Sequence, residues 1–430
     1  MIIRLCAIIF KNMTRLQFPK GFLWGAATSA HQVEGDNHND WSEWEKANAE
    51  KLAHDAKQKY AKWQREKFPE MFDHANYISG KAADHYNRYE EDFDIAKSLG
   101  HNAHRFSIEW SRVEPKEGEW NEEAIEHYRS VVRALRVRGI EPFVTLWHWP
   151  FPLWVAGIGG FESKTTGKYF ERYAKKMATV LPEVKFWITL NEPEVYASHT
   201  YLKGNWTPQK RNYFVYRKVI RNMVAAHITA YTAIKSVDKE ANICIAKHNL
   251  YFEAYKGRFL NRMLKKAVDI WWNDWFLKKI SRHQDLITVN NYHHNRVSYG
   301  FNKNENEKLS DMAWELYPES LALVARELAK YKLPIYVTEH GLADADDSRR
   351  EWFIKESLRY LYKAIEDGAQ VRGYLHWSLL DNFEWDKGFW PRFGLVEVDF
   401  KTQERKIRPS ALEYAKICKE NALEANYESV

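Results

Sequence analysis

Eight short runs of apolar and β-branched residues, each bounded by turn signals, constrain this chain more than any other feature. They are 22–28, 102–108, 140–149, 185–190, 242–248, 286–292, 334–338 and 371–377. Most lack polar alternation, as strands buried on both faces do. Most gaps between them carry amphipathic helical spacing, over 89–99, 122–138, 213–237, 314–330 and 352–367. Strands alternating with helices over 430 residues predict a single α/β domain, a (β/α)8 TIM barrel. No Pro/Gly/Ser linker or low-complexity tract divides the chain, so the domain is expected to span 1–430. Residues 1–14 are expected to lie outside the core, and 36–87 to form a long loop insertion after the first strand.

In such barrels the active site sits at the C-terminal ends of the strands, and polar and aromatic residues gather there in this sequence. The fourth run ends in "WITLNEPE" (187–194). A buried, unpaired carboxylate is costly, so Glu192 needs solvent, a partner or a chemical role. Pro193 suits a chain leaving the ladder. Glu339 ends the seventh run. Gln32 follows the first, Arg105 lies in the second, and His148 and Trp149 end the third. Asn290 and Tyr292 end the sixth, and Trp377 the eighth. A lone strand-end glutamate is explained as a helix cap, and a lone His148 as a satisfied core histidine. Their joint placement at one rim is not. The chain also has 19 Trp, more than core packing needs, and flat apolar faces suit sugar rings.

Seven segments carry a resemblance: "FPKGFLWGAATSAHQVEG" (18–35), "RFSIEWSR" (105–112), "TLWHWPFPLW" (145–154), "TLNEPEVY" (189–196), "YVTEHG" (336–341), "HWSLLDNFEW" (376–385) and "RFGLVEVDF" (392–400). In this order they resemble glycoside hydrolase family 1, the β-glucosidase and β-galactosidase family, from about Phe18 to Tyr414. The resemblance implies that Glu192 is the acid/base and Glu339 the nucleophile. Arg105, Asn290 and Tyr292 would surround the nucleophile. Gln32, His148, Trp149, Asn191, Trp377, Glu384, Trp385 and Phe393 would bind sugar, with Trp377 as a stacking platform. Three departures stand out: His340 where the family has Asn, Asn291 where Tyr is common, and a shortened stretch over 249–285. The insertion, with Trp41, Trp44, Trp63 and Tyr77, is expected to rebuild part of the cleft wall.

Hydrolysis with retention needs two carboxyls roughly 5–5.5 Å apart. Strands four and seven, on opposite sides of the pore, are expected to bring Glu192 and Glu339 together. Glu339 must be ionised, which Arg105 favours. Glu192 must start protonated, which burial and the charge of Glu339 favour. Glu194 is expected to be solvated or salt-bridged. Glu384 is expected to accept from sugar hydroxyls and to repel a 6-phosphate, with a rim pair to Lys387 as the alternative.

A net charge of +6, spread along the chain, gives no basic block of the kind that marks a nucleic-acid face. Three scattered cysteines support no disulfide framework, and His293 and His294 lack metal-ligand spacing. No metal or other cofactor is expected. The apolar start "MIIRLCAIIF" is too short to span a bilayer and precedes no small-residue cleavage site. A cytoplasmic enzyme acting on a small-molecule or oligosaccharide β-glycoside is expected, with no nucleic-acid or membrane partner; a homo-oligomer is compatible with the sequence. The competing functions are transglycosylation by the same residues and non-catalytic sugar binding on the same barrel, which most simply would lack one of the two carboxyls.

Overall fold

The computed structural model describes residues 13–299 and 302–426. Eight parallel strands close into one barrel: β1 (Leu23–Ala27), β2 (Ala103–Ser107), β3 (Glu141–Trp147), β4 (Phe186–Asn191), β5 (Asn242–His248), β6 (Ile287–Asn290), β7 (Ile335–His340) and β8 (Val371–Trp377). Neighbours round the ring follow chain order, and β8 closes on β1. The strands answer the eight apolar runs within a few residues. β4 and β7 are not diametrically opposed, however; β5 and β6 lie between them on one side of the ring. The lower barrel is filled by side chains, with Phe143 stacked on Phe186 at 4.2 Å between ring centroids and Tyr336 against both. Gly25 belongs in β1 because a Cβ there would lie 1.8 Å from the Ala103 carbonyl oxygen of β2.

Helices cover the outside: α1 (Asp40–Lys59), α2 (His85–Ser98), α3 (Glu122–Val137), α4 (Thr165–Val180), α5 (Tyr213–Val237), α6 (Phe259–Val268), α7 (Glu319–Leu328), α8 (Arg350–Glu366) and α9 (Pro409–Glu420). α3 is representative. Asn121 caps it by accepting from the Ala124 N–H, and Ile125, Tyr128, Val132 and Leu135 form its buried stripe. Two sequence expectations change here. The helix expected over 314–330 starts only at Glu319, because Pro318 disfavours helical backbone at Tyr317 before it. The segment 36–87 is not a loop but mainly helix. Its Ala-, Lys- and Glu-rich stretch forms α1 behind a capping box at Asn39 and Ser42, and a short helix follows at Lys62–Lys67.

The boundary set at residue 14 also moves. A strand at Met13–Gln17 pairs antiparallel with Ala422–Asn426, so Met13 and Thr14 belong to the fold. Residues 1–12 of the expected extension lie outside the described residues. Among the described residues no helix is long and apolar enough to cross a membrane.

Candidate active site

The strand ends that carry the two glutamates depart from regular pairing. The register of β4 against β5 shifts between Ile188 and Asn191, and that of β7 against β6 shifts between Val337 and Glu339. Such irregularities re-aim side chains at barrel rims. Glu192 sits at φ 41°, in the left-handed region, while its N–H donates to the Ala246 carbonyl at 2.8 Å. Trp149 (φ 89°) and Trp385 (φ 51°) share this uncommon backbone. Non-glycine residues persist there only where the surroundings over-determine them, and functional sites are where that is concentrated. Gly341 lets the end of β7 press on β8, since a Cβ would meet the Trp377 carbonyl oxygen at 2.0 Å.

Arg105, fully buried, organises the floor. Its Nη1 bonds Glu339 Oε1, its Nη2 donates to Asn191 Oδ1 at 2.7 Å, and its Nε donates to Thr145 Oγ1 at 3.0 Å. The Tyr292 hydroxyl donates to the other Glu339 oxygen at 2.6 Å. Asn290 is oriented by the Thr338 hydroxyl, which donates to its Oδ1 at 2.8 Å. Its Nδ2 donates to Glu192 Oε1 at 2.9 Å. Asn191 is likewise fixed: its Oδ1 accepts from Arg105 and its Nδ2 faces His148 Nε2 at 3.0 Å. Burial holds His148 well below the ordinary histidine range, so Nε2 accepts and Nδ1 carries the proton.

The two carboxyls therefore differ in surroundings. Burial first, and then the charge of Glu339, push Glu192 up to about 8. Burial also raises Glu339, but Arg105, Tyr292 and Asn290 oppose that rise. The cation touches Glu339 and no cation touches Glu192, so Glu339 gives up its proton first.

Above this floor opens a cleft of about 450 Å³. Gln32, His148, Trp149, Asn191, Glu192, Tyr292, Glu339, Trp377, Glu384, Trp385 and Phe393 all line it. Arg105 and Asn290 lie beneath and reach it only through the residues they hold. Gln32 donates to Glu384 at 3.2 Å and to the Phe383 carbonyl at 2.9 Å. Burial pushes Glu384 up to about 8, and the nearby charge of Lys387 opposes this. The direct ion-pair partner of Lys387 is Asp386, not Glu384. Glu194 is salt-bridged rather than solvated: it is buried and pairs with buried Lys247 at 3.2 Å.

The insertion does not line the cleft. It backs it instead, with Trp41 4.6 Å from Trp385 and His31, bonded to Glu45 of α1, stacked on Trp385 at 5.5 Å. The shortened 249–285 segment does contribute a wall, through Leu250 and Trp272. The departures His340 and Asn291 turn out to be partners: His340 Nδ1 bonds the Asn291 carbonyl and Nε2 faces Ser357 Oγ at 2.9 Å. Neither lines the cleft. Sequence reasoning missed Thr145 and Thr338, which orient Arg105 and Asn290, and Trp206, which packs 4.6 Å from Trp149. Only their strand or aromatic context could have suggested them.

A buried carboxyl whose pKa is raised and a carboxyl held by an arginine line one cleft walled with indole rings. On a (β/α)8 barrel this defines a glycosidase. The profile of glycosyl hydrolase family 1 matches residues 14–285 and 260–423. Beta-glucosidase A of Thermotoga maritima is 30% identical, covering 95% of this chain and 99% of its own. A beta-galactosidase of Sulfolobus acidocaldarius is 28% identical over 95% of this chain and 96% of its own. The solved beta-glycosidase from Pyrococcus horikoshii superposes with a TM-score of 0.85 at 36% identity, covering 96% of this chain and 97% of that one. The chain belongs to glycosyl hydrolase family 1 and is a hydrolase of glycosides.

Proposed function

We propose that the protein is a retaining β-glycosidase that removes terminal, non-phosphorylated β-glucosyl, β-galactosyl or β-fucosyl groups by double displacement. The observation that carries this is the unequal pair: Glu339 held by Arg105 and Tyr292, and Glu192 buried with its pKa near 8. Glu339 attacks the anomeric carbon while Glu192 gives its proton to the departing oxygen. When the glycosyl-enzyme forms, the charge of Glu339 disappears, and with it one cause of the raised pKa of Glu192. Glu192 then takes a proton from water, which hydrolyses the ester. Asn191, preset by Arg105 and His148, donates to the sugar 2-hydroxyl, a contact that strengthens in the oxocarbenium-like transition state.

Glu384 and Gln32 meet the hydroxyls on carbons 4 and 6. A carboxyl has two oxygens, which suits an equatorial or an axial 4-hydroxyl. Relatives named beta-glucosidase and beta-galactosidase support both sugars. Lys387 reaches the cleft but is engaged by Asp386, and the Glu384 carboxyl, where ionised, repels a 6-phosphate at this position. Supporting the compartment expectation, the cysteines Cys244 and Cys418 are buried and free.

Glu339→Ala tests the mechanism. Turnover of a nitrophenyl β-glucoside should fall by several orders of magnitude, and azide or formate should restore part of it with an α-configured product. A variant that kept more than about a tenth of the activity, equivalent to less than ~1.4 kcal/mol of barrier, would refute the assignment.

A further inference from the structure

The outer face between α5 and α6 carries an unusual surface. Of the fifteen large apolar side chains that the described residues expose, seven lie here: Tyr213, Phe214, Phe259, Leu260, Met263, Ile270 and Trp271. Five of them fall on the α6 segment and two at the start of α5, and this clustering of apolar exposure on two segments joined by a groove marks an interaction surface rather than ordinary scatter. α6 turns Leu264 and Val268 inward against Leu250, Phe252 and Val297. Its other side leaves Phe259 67%, Leu260 70% and Met263 57% exposed, and Ile270 and Trp271 continue the stripe. The start of α5 joins it through the rings of Tyr213, Tyr216 and Trp271, each 6.3 Å from the next.

The free charge of this face is positive, since its carboxylates Asp269 and Glu327 are both paired with Lys265. The sequence has no Asp or Glu between Glu194 and Asp238, and none between Glu253 and Asp269. Arg217, Lys218, Arg221, Arg258, Arg262 and Lys266 are exposed, and among the described residues none of them has a carboxylate partner. A groove of about 500 Å³ between the two segments is rimmed by Arg217, Arg221 and Lys279, with Trp271 and Trp275 as walls. The carboxylate at its floor, Glu194, is buried against Lys247.

We propose that this face docks on a lipid bilayer carrying anionic headgroups. A second copy of the chain would bring the same unpaired cations face to face. A soluble polyanion would leave the apolar stripe in water. A bilayer surface meets both needs at once, with phosphates for the basic groups and an acyl boundary for the stripe. The proposed attachment is peripheral and needs no spanning helix. Its orientation has a consequence for the enzyme. Trp272, a wall of the catalytic cleft, lies next to Trp271 of the stripe with ring centroids 5.5 Å apart, so the docking face and the cleft share one segment of chain.

The test is co-sedimentation of the full-length protein with phosphatidylcholine vesicles, with and without phosphatidylglycerol. Wild type should pellet with the phosphatidylglycerol vesicles at low salt and be released as salt rises. Leu260→Asp combined with Met263→Asp should weaken binding by at least about tenfold, on the scale of removing two aliphatic side chains from the acyl boundary. Arg258→Gln, Arg262→Gln and Lys266→Gln together should weaken it by about a hundredfold. Hydrolysis of a nitrophenyl glycoside in free solution should be unchanged in both, which also shows that they fold. The apolar first ten residues are present in every protein, so any difference belongs to this face. Wild type that stays in the supernatant, or an aspartate variant that pellets like wild type, would overturn the proposal. So would a dimer that those substitutions dissolve while no protein binds vesicles.

Discussion

Glu192 and Glu339 are the same side chain, both raised by burial, and they are set apart by what touches each: the Arg105 cation holds Glu339, whereas the charge of Glu339 raises Glu192 further. An unfolded glutamate ionises near 4.5, whereas folded Glu192 keeps its proton up to about 8. The folded state therefore bears no penalty from Glu192 below pH 4.5 and the full penalty above pH 8, where an ionised carboxylate sits buried. Glu192→Gln removes that penalty. Its melting temperature should exceed that of wild type more above pH 8 than below pH 4.5, as thermal scans at the two pH values would reveal. In kinetics the same variant should form the glycosyl-enzyme from a dinitrophenyl glycoside, whose leaving group needs little protonation, and then stall. A burst followed by slow turnover is expected; equal loss with good and poor leaving groups would count against the acid role. Glu384 lines the same cleft and is proposed to meet the sugar. Glu384→Ser should cost about 1.5–3 kcal/mol of transition-state stabilisation on glucosides, measured as kcat/KM, and less on fucosides, which lack the 6-hydroxyl.

The elements matter through their ends. β4 and β7 both slip register just before their glutamates, and the turn after β4 places Glu194 inward, where it meets Lys247 of β5. Lys247 also donates to the carbonyls of His248 at 2.9 Å and Trp272 at 2.7 Å, so one buried ammonium ties the turn after β4 to the cleft wall. Lys247→Met leaves the Glu194 carboxylate buried and unpaired, and should destabilise the protein by about 3–5 kcal/mol in urea unfolding. Adding Glu194→Leu should recover most of the loss, because the desolvated charge is then gone. If the double variant is no more stable than the single one, the penalty has another source. β8 closes the site from the other side, with Trp377 in register with Ala27 of β1.

For the molecule as a whole, closure of the ring does the positioning and the termini tie off the barrel. The Met13–Gln17 strand pairs with Ala422–Asn426, and Asn421 accepts from the Trp24 indole at 2.8 Å while its amide donates to the Phe18 carbonyl at 2.9 Å. A chain starting at Met13 should melt at the temperature of the full chain, whereas one starting at Phe18 should melt several degrees lower, since it loses the whole strand pairing. Calorimetry of the two truncations separates these outcomes; a large drop on removing 1–12 alone would show that this segment packs on the barrel.

Much of this was legible along the chain. Burial on both faces forces parallel strands into near-continuous apolar runs, so the eight strands and the long α5 could be placed from pattern alone. The carboxyls and aromatics stood out because polar groups at the ends of apolar runs need a reason. Other features depend on contacts between distant residues and leave no local mark. The bonding of His340 to Asn291 joins residues on β7 and just after β6. The support of Trp385 by Trp41 joins positions 344 residues apart. The helical character of 36–87 was missed because the strand-and-turn frame treated it as a gap. Which carboxyl keeps its proton was decided last of all, because burial and the position of Arg105 exist only once the ring has closed.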